Sequence, residues 1–309
     1  MTAKYVDAAA ILTAGHNPPM PARGGQRSDG LRLLYPGAVN GLVGDPESGK
    51  TLIASANAAD ELFGGGSVLW LDIDHNGPVA TLTRLRRYGV SVDVLSDSAR
   101  FRLAIPEDGP SLLAVIEDAR TWRPTVAVLD SVGELLPMFG ASSNSADEYT
   151  AINQKTLARL ASFGIAVLGI DHMAKGQGSR EYGAGGTVAK KRAIDGAYMR
   201  VTTAGGFSKG NGGSAQLSIL KDRHGALRQA STSGREPYLT VFTLHESNGV
   251  TNWRFDLPAQ VPPTKSDVAA LIELAPQPKS VRDVMTRLGW GNTRAMNALR
   301  DFRGEIVTT

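Results

Sequence analysis

Residues 44–51 read Gly-Asp-Pro-Glu-Ser-Gly-Lys-Thr, which fits the spacing G-x-x-x-x-G-K-[ST]. Glycines at the two ends, Gly44 and Gly49, let a tight loop turn its backbone N–H groups toward one point, and a lysine adds a cation there. That is a cradle for a polyanion, with Lys50 reaching β- and γ-phosphates and the Thr51 hydroxyl facing Mg²⁺. Asp45, Pro46, Glu47, Ser48 and the following Leu52 are the remaining expected contacts. A Gly-rich surface turn would satisfy the same letters, but the flanks favour the cradle. Val39 to Val43 is an apolar run of strand length, and Thr51 to Leu62 is Ala-rich with no breaker. The N-terminus of such a helix already favours negative charge. ATP with Mg²⁺ is the expected ligand pair.

A second acid is needed to hold magnesium through water, and Asp130 at the end of the apolar run "TVAVLD" stands where one is expected. Hydrolysis also needs a group that orients the attacking water. The residue after Asp130 is Ser131, so no glutamate is available there. The neighbouring run reads "WLDIDHNGP". Asp72 and Asp74 are two apart and on a strand would point the same way. Asp74 lies nearer the C-terminal edge, where ligands of open α/β sheets bind. Glu47, inside the loop, is the rival.

These residues need a frame. "SVLWLDI", "FRLAI", "TVAVLD" and "GIAVLGI" are strand-length apolar runs, separated by helical patterns at Pro78 to Tyr88, Ser111 to Arg120 and Ala146 to Ser162. Continuous apolar strands alternating with helices predict an α/β fold with a parallel sheet covered on both faces. After Asp195, four closely spaced strand patterns without helices predict an antiparallel extension. Residues 1–30 read as an N-terminal arm rich in breakers, residues 31–256 as the main domain and residues 257–265 as a Pro-rich linker. Residues 266–309 carry three short helical patterns with a Gly-containing turn between the last two, as in a helix-turn-helix module. Arg294 and Arg300 fall on its recognition helix as candidate DNA contacts. A plain helical cap is the alternative.

The bulk numbers exclude more than they assign. The 309 residues contain no cysteine, so disulfides and thiolate metal sites are excluded and a reducing, cytoplasmic setting is expected. No run approaches transmembrane length, and the first residues do not make a convincing signal peptide. The net charge of +3 names no partner. Its distribution is uneven: from His172 to Arg228 there are ten Lys/Arg against three Asp/Glu, together with twelve glycines.

In combination these motifs resemble the RecA-like ATPases, in particular the branch of RepA-type hexameric helicases and related phage and actinobacterial proteins. The resemblance covers roughly Leu33 to Arg228. It implies a RecA-like P-loop NTPase core with a small C-terminal helical, winged-helix-like domain. In that branch a glutamate follows the second strand in a D-x-E pattern, and Asp74 occupies its place, one methylene shorter. His172, in "GIDHMAKG", matches a strand-end residue that senses the γ-phosphate. "SREYGAGGTVAKKRAIDGA" resembles a Gly- and Lys-rich segment facing DNA, so Arg180, Lys190, Lys191 and Arg192 become candidate phosphate contacts; a solvated basic loop is the alternative. Lys221 and Arg223 match a K-x-R pair that reaches the nucleotide of the adjacent subunit, the arginine-finger device, although "DRHG" is also acceptable turn chemistry.

The expected function is therefore DNA-dependent ATP hydrolysis, as in a RepA- or DnaB-like helicase or translocase of phage or plasmid type. The expected partners are DNA, as a single strand, and copies of the same chain in a head-to-tail hexameric ring or a filament. A recombinase-like filament and an ATP-switched DNA-binding regulator or helicase loader with little turnover are the alternatives.

Overall fold

The computed structural model describes residues 7–13, 18–142, 144–173, 184–208, 210–247, 250–258, 267–289, 295–296, 298–299 and 302. The chain divides into two compact units, Met1–Pro258 and Ala259–Thr309.

In the first unit, α1 (Ala8–Thr13) precedes the short strands β1 (Arg23–Gln26) and β2 (Arg32–Leu34). Then come β3 (Val39–Gly44), α2 (Lys50–Phe63), β4 (Val68–Asp72), α3 (Pro78–Arg87), α4 (Val92–Ser96), β5 (Phe101–Ala104) and α5 (Gly109–Trp122). β6 (Val126–Asp130) leads through a 3₁₀ turn into α6 (Leu135–Met138), α7 (Ala146–Lys155) and α8 (Leu157–Ala161). β7 (Ala166–His172), α9 (Ala189–Ala193), β8 (Ala197–Ser208), β9 (Gly212–Asp222), α10 (Ala226–Gln229), β10 (Tyr238–Ser247) and β11 (Val250–Asp256) complete the unit.

The main sheet has nine strands in the order β11-β10-β9-β8-β3-β7-β6-β4-β5. β8, β3, β7, β6, β4 and β5 run parallel, and β9, β10 and β11 extend the sheet in antiparallel pairs. The protein is thus α/β with a large mixed, mostly parallel central sheet. The strands read as unbroken apolar runs because both faces are buried. Leu42, Trp70, Val128 and Leu168 join one core, while their neighbours Val43, Leu71, Leu129 and Val167 join the other. Each such side chain contributes about 1.5–3 kcal/mol on burial, which fixes strand register and with it the strand ends.

Three local expectations are corrected. The stretch expected to be a free arm is structured from Arg23 onward. Gly24, Gly25 and Gln26 donate their N–H groups to Glu61, Asn57 and Asp60 on α2, at 3.0, 2.7 and 3.1 Å. The glycines that looked like breakers allow this close approach; a Cβ on Gly25 would meet the Phe255 ring at 2.5 Å. The helix expected over 146–162 breaks at Thr156, whose φ of −119° and ψ of −94° are not helical. Asp72 and Asp74 do not share a face, because β4 ends at Asp72.

The second unit holds α11 (Asp267–Ile272) and α12 (Val281–Leu288), and residues 295–296, 298–299 and 302 are helical. Leu271, Val284, Ala295, Ala298, Leu299 and Phe302 form its own buried cluster. Ser280 caps α12 by accepting from Asp283 N at 3.2 Å. Among the described residues no helix is long and apolar enough to cross a membrane.

Candidate active site

The parallel strands β3, β6, β4 and β7 bring their C-terminal ends to one edge of the sheet, where residues 44–51, Asp72, Asp74, Asp130 and His172 gather, whereas the turn bearing Arg223 sits at the opposite end, beside Val39. β3 ends at Gly44 and α2 begins at Lys50, so residues 45–49 form the turn between them. Gly49 makes this turn possible with a φ of +91°, a conformation that costs L side chains energy. It leaves the start of α2 without a side-chain cap, so the first N–H groups of a 14-residue helix face the loop without intrahelical partners. The Phe207 ring of β8 packs against Gly49.

Lys50 is buried, and its Nζ donates to the carbonyls of Gly44 and Asp45 at 3.0 and 2.7 Å. An ammonium has three N–H donors, which leaves one for an anion in the loop. Burial pulls this ammonium below the usual lysine range, against the opposing pull of Asp130, Asp45, Asp171 and Asp74. Thr51 Oγ1 donates to Asp130 Oδ2 at 3.1 Å, across 79 residues of chain. Burial raises the Asp130 carboxyl to about 6; Asp74 and Asp72 add to that rise, while Thr51 and Arg84 oppose it. A cation beside Asp130 would relieve this.

The residues fit a phosphate with a hard cation. Ser48 Oγ in the loop and Ser131 Oγ beside Asp130 are buried polar atoms without a hydrogen-bond partner, the usual mark of a site that another group completes. Among the described residues no group of three or more His, Cys, Asp or Glu is arranged to hold a metal. Magnesium at a phosphate loop needs fewer protein ligands, because phosphate oxygens and water supply the rest. Thr51 and Asp130 are the residues that could hold it.

Asp72 is fully buried and organises the loop after β4, accepting from Asn76 N at 3.1 Å and Gly77 N at 2.8 Å. Asp74 is exposed on that loop, its own N–H donating to Asp130 O at 2.9 Å. It is therefore solvent-accessible at this edge. Glu47 is exposed too, in the turn of residues 45–49, with a φ of +60°. His172 lies directly beside Gly44 in the β3–β7 register and is exposed. Met173 N donates to Gly44 O at 3.1 Å, tying the end of β7 to the loop.

Two expected roles are corrected. Lys190 is not a surface cation: its Nζ pairs with the buried Asp171 at 2.8 Å, and both side chains are under one-tenth exposed. Lys221 does not extend outward, because its Nζ donates to the carbonyls of Lys191, Arg192 and Ile194 at the end of α9. A cation at a helix C-terminus is favourable, and here it clamps α9 to β9. Arg223 is exposed. Asp222 braces this turn by accepting from Tyr35 Oη at 2.9 Å and Arg228 N at 2.8 Å. Arg180, Arg294 and Arg300 lie outside the described residues.

Sequence reasoning missed three features of this edge. Arg84 of α3 lines a cleft of about 600 Å³ with Leu52, Asn76, Tyr88 and Glu246, and its Nη1 is buried without a partner. Arg200, Arg228 and Arg235 gather near Lys191 with Glu236 as the opposing acid; burial first and then Arg200 hold that lysine below its usual range. The Asp171–Lys190 pair was hidden within a basic run. A larger cleft, about 850 Å³, lies between Arg32, Phe63 and Trp253 at the other end of α2 and carries none of the loop chemistry. No protein-family model and no curated protein matches the chain.

Proposed function

We propose that the protein is a RecA-like P-loop ATPase that hydrolyses ATP while engaged with DNA and completes its active site with a neighbouring subunit. The observation that carries this reading is the contact of Thr51 Oγ1 with Asp130 Oδ2 at 3.1 Å beneath an uncapped, lysine-bearing loop. Thr51 and Asp130 are the residues that would hold a hydrated magnesium ion here. Bound there, the ion would neutralise charge on the transferring phosphoryl group.

In this reading the N–H groups opening α2 and the remaining donor of Lys50 bind the phosphates. The cleft lined by Leu52, Asn76 and Arg84 receives the nucleoside, with the unpartnered guanidinium N–H available to it. Asp74 orients water and accepts its proton, and His172 contacts the terminal phosphate. Arg223 has no role in its own site and serves the next subunit's nucleotide, a head-to-tail arrangement that closes a ring or grows a filament. Lys191 and Arg192, with Arg200, Arg228 and Arg235 nearby, offer a basic surface for the DNA backbone. The helix-turn-helix reading of the C-terminal unit belongs to the same proposal and rests on its separate helical core.

ATP turnover measured with and without single-stranded DNA tests the reading. Turnover that DNA stimulates supports a helicase or translocase. ATP-dependent DNA binding without turnover supports the second reading, a switched regulator or loader. The short carboxylate of Asp74 on an exposed loop is what favours that alternative.

A further inference from the structure

The buried pair Asp171–Lys190 joins two parts of the proposed machine. Asp171 ends the buried part of β7; one carboxylate oxygen accepts from His172 N and the other meets Lys190 Nζ, each at 2.8 Å. The surroundings are close: Tyr149, Tyr198, Val132 and Ile194 line a space of about 10 Å³ around the pair. Burial pushes the Asp171 carboxyl up, against the pull of Lys190. Replacing such a pair by apolar side chains is often neutral or stabilising, so stability alone does not account for it.

What the pair connects suggests another purpose. On one side, β7 sets His172 next to Gly44 and anchors Met173 N on Gly44 O at 3.1 Å. On the other, Lys190 belongs to α9, a helix of five residues. Lys221 clamps the last carbonyls of α9, and Arg223 N donates to Gly196 O at 3.2 Å just beyond it. The geometry points to Asp171–Lys190 as a positioning pair that holds α9, and through Lys221 the turn bearing Arg223, in fixed relation to the phosphate loop. The pair thereby governs how one subunit presents its guanidinium to the next. This inference rests on the proposed action of Arg223 in trans.

A mixture of two defective subunits isolates the effect. Lys50→Ala subunits have no working loop but can donate Arg223; Arg223→Ala subunits have the loop but no guanidinium to donate. Their mixture should recover turnover at one class of interface. Asp171→Asn and Lys190→Met are then added together to the Lys50→Ala subunit only, whose own site is already silent. Recovered turnover should fall at least about tenfold, since misplacement of about 1 Å can cost a hundredfold. KM should hold and the melting temperature should not drop, because the neutral pair leaves no buried charge. Undiminished recovery would overturn the inference. Should that subunit fail to fold, Lys190→Arg keeps the charge and alters the reach, and parent-level recovery there would equally overturn it. If the mixture without the pair substitutions co-assembles yet recovers nothing, action in trans is refuted first and this inference falls with it.

Discussion

Asp130→Asn should make the protein more stable and inactive at once. In the parent, burial holds the Asp130 carboxyl at about 6, against an ordinary value of 3.8. At 1.36 kcal/mol per pKa unit, ionising it in the folded state costs about 3 kcal/mol relative to the unfolded chain. The sign follows from proton uptake: between pH 3.8 and about 6 the folded state binds more protons, so this group's contribution to stability falls as pH rises through that window. An amide keeps the shape and can still accept from Thr51 Oγ1, but never ionises. The variant's advantage should therefore be near zero below pH 3.8, grow to about 6 and stay level above it. At pH 7.5 it should approach 3 kcal/mol, roughly 6–12 °C in melting temperature for a domain of this size. Chemical denaturation of parent and variant across pH 3.5–8, with the difference plotted, reads this residue together with the groups coupled to it, Asp74, Asp72 and Lys50. Magnesium and ATP should stabilise the parent by mass action and barely affect the variant. A flat difference across the window, or a variant less stable at pH 7.5, would refute the placement of Asp130 as a buried acid whose charge burial disfavours.

Other outcomes follow from the same geometry. Asp74→Asn should abolish turnover while sparing ATP binding, because Thr51, Asp130 and the loop are untouched; parent-like rates would pass the role to Glu47, with Glu47→Gln the next variant. Asp74→Glu should change the rate in either direction by reach alone, and an identical rate would show that this carboxylate does not touch the water. Mixing Arg223→Ala with Lys50→Ala should restore part of the activity each lacks, and co-assembled mixtures no better than their components would exclude action in trans. Neutralising Lys191 and Arg192 should weaken single-stranded DNA binding and flatten its salt dependence by about two charges, whereas Lys190→Met should leave the salt slope alone because that lysine is buried.

The strand–turn–helix around residues 45–49 was readable because its signal is local: two glycines, a lysine and a threonine between an apolar run and an Ala-rich one. The parallel strands were readable for a similar reason, since burial on both faces leaves unbroken apolar runs. Side-chain destinations were not. Lys190, Lys191 and Arg192 are consecutive in the sequence, yet only Lys190 turns inward to Asp171, and nothing in three adjacent cations marks which one a distant aspartate will take. Lys221 reads as a reaching cation until α9 places three carbonyls around it. Gly24 and Gly25 read as loose chain because glycine serves equally for a flexible linker and for close packing against α2. Asp72 and Asp74 alternate as on a strand, but the strand stops between them.

The central claim is that Lys50 stands over a working nucleotide site. Steady-state ATP turnover by the parent and by folded Lys50→Ala, each with and without single-stranded DNA, tests it most directly. The account predicts magnesium-dependent turnover in the parent, stimulated by DNA, and a loss of at least about a hundredfold in the variant, as for other lost electrostatic stabilisers. Equal turnover in the two proteins would contradict it.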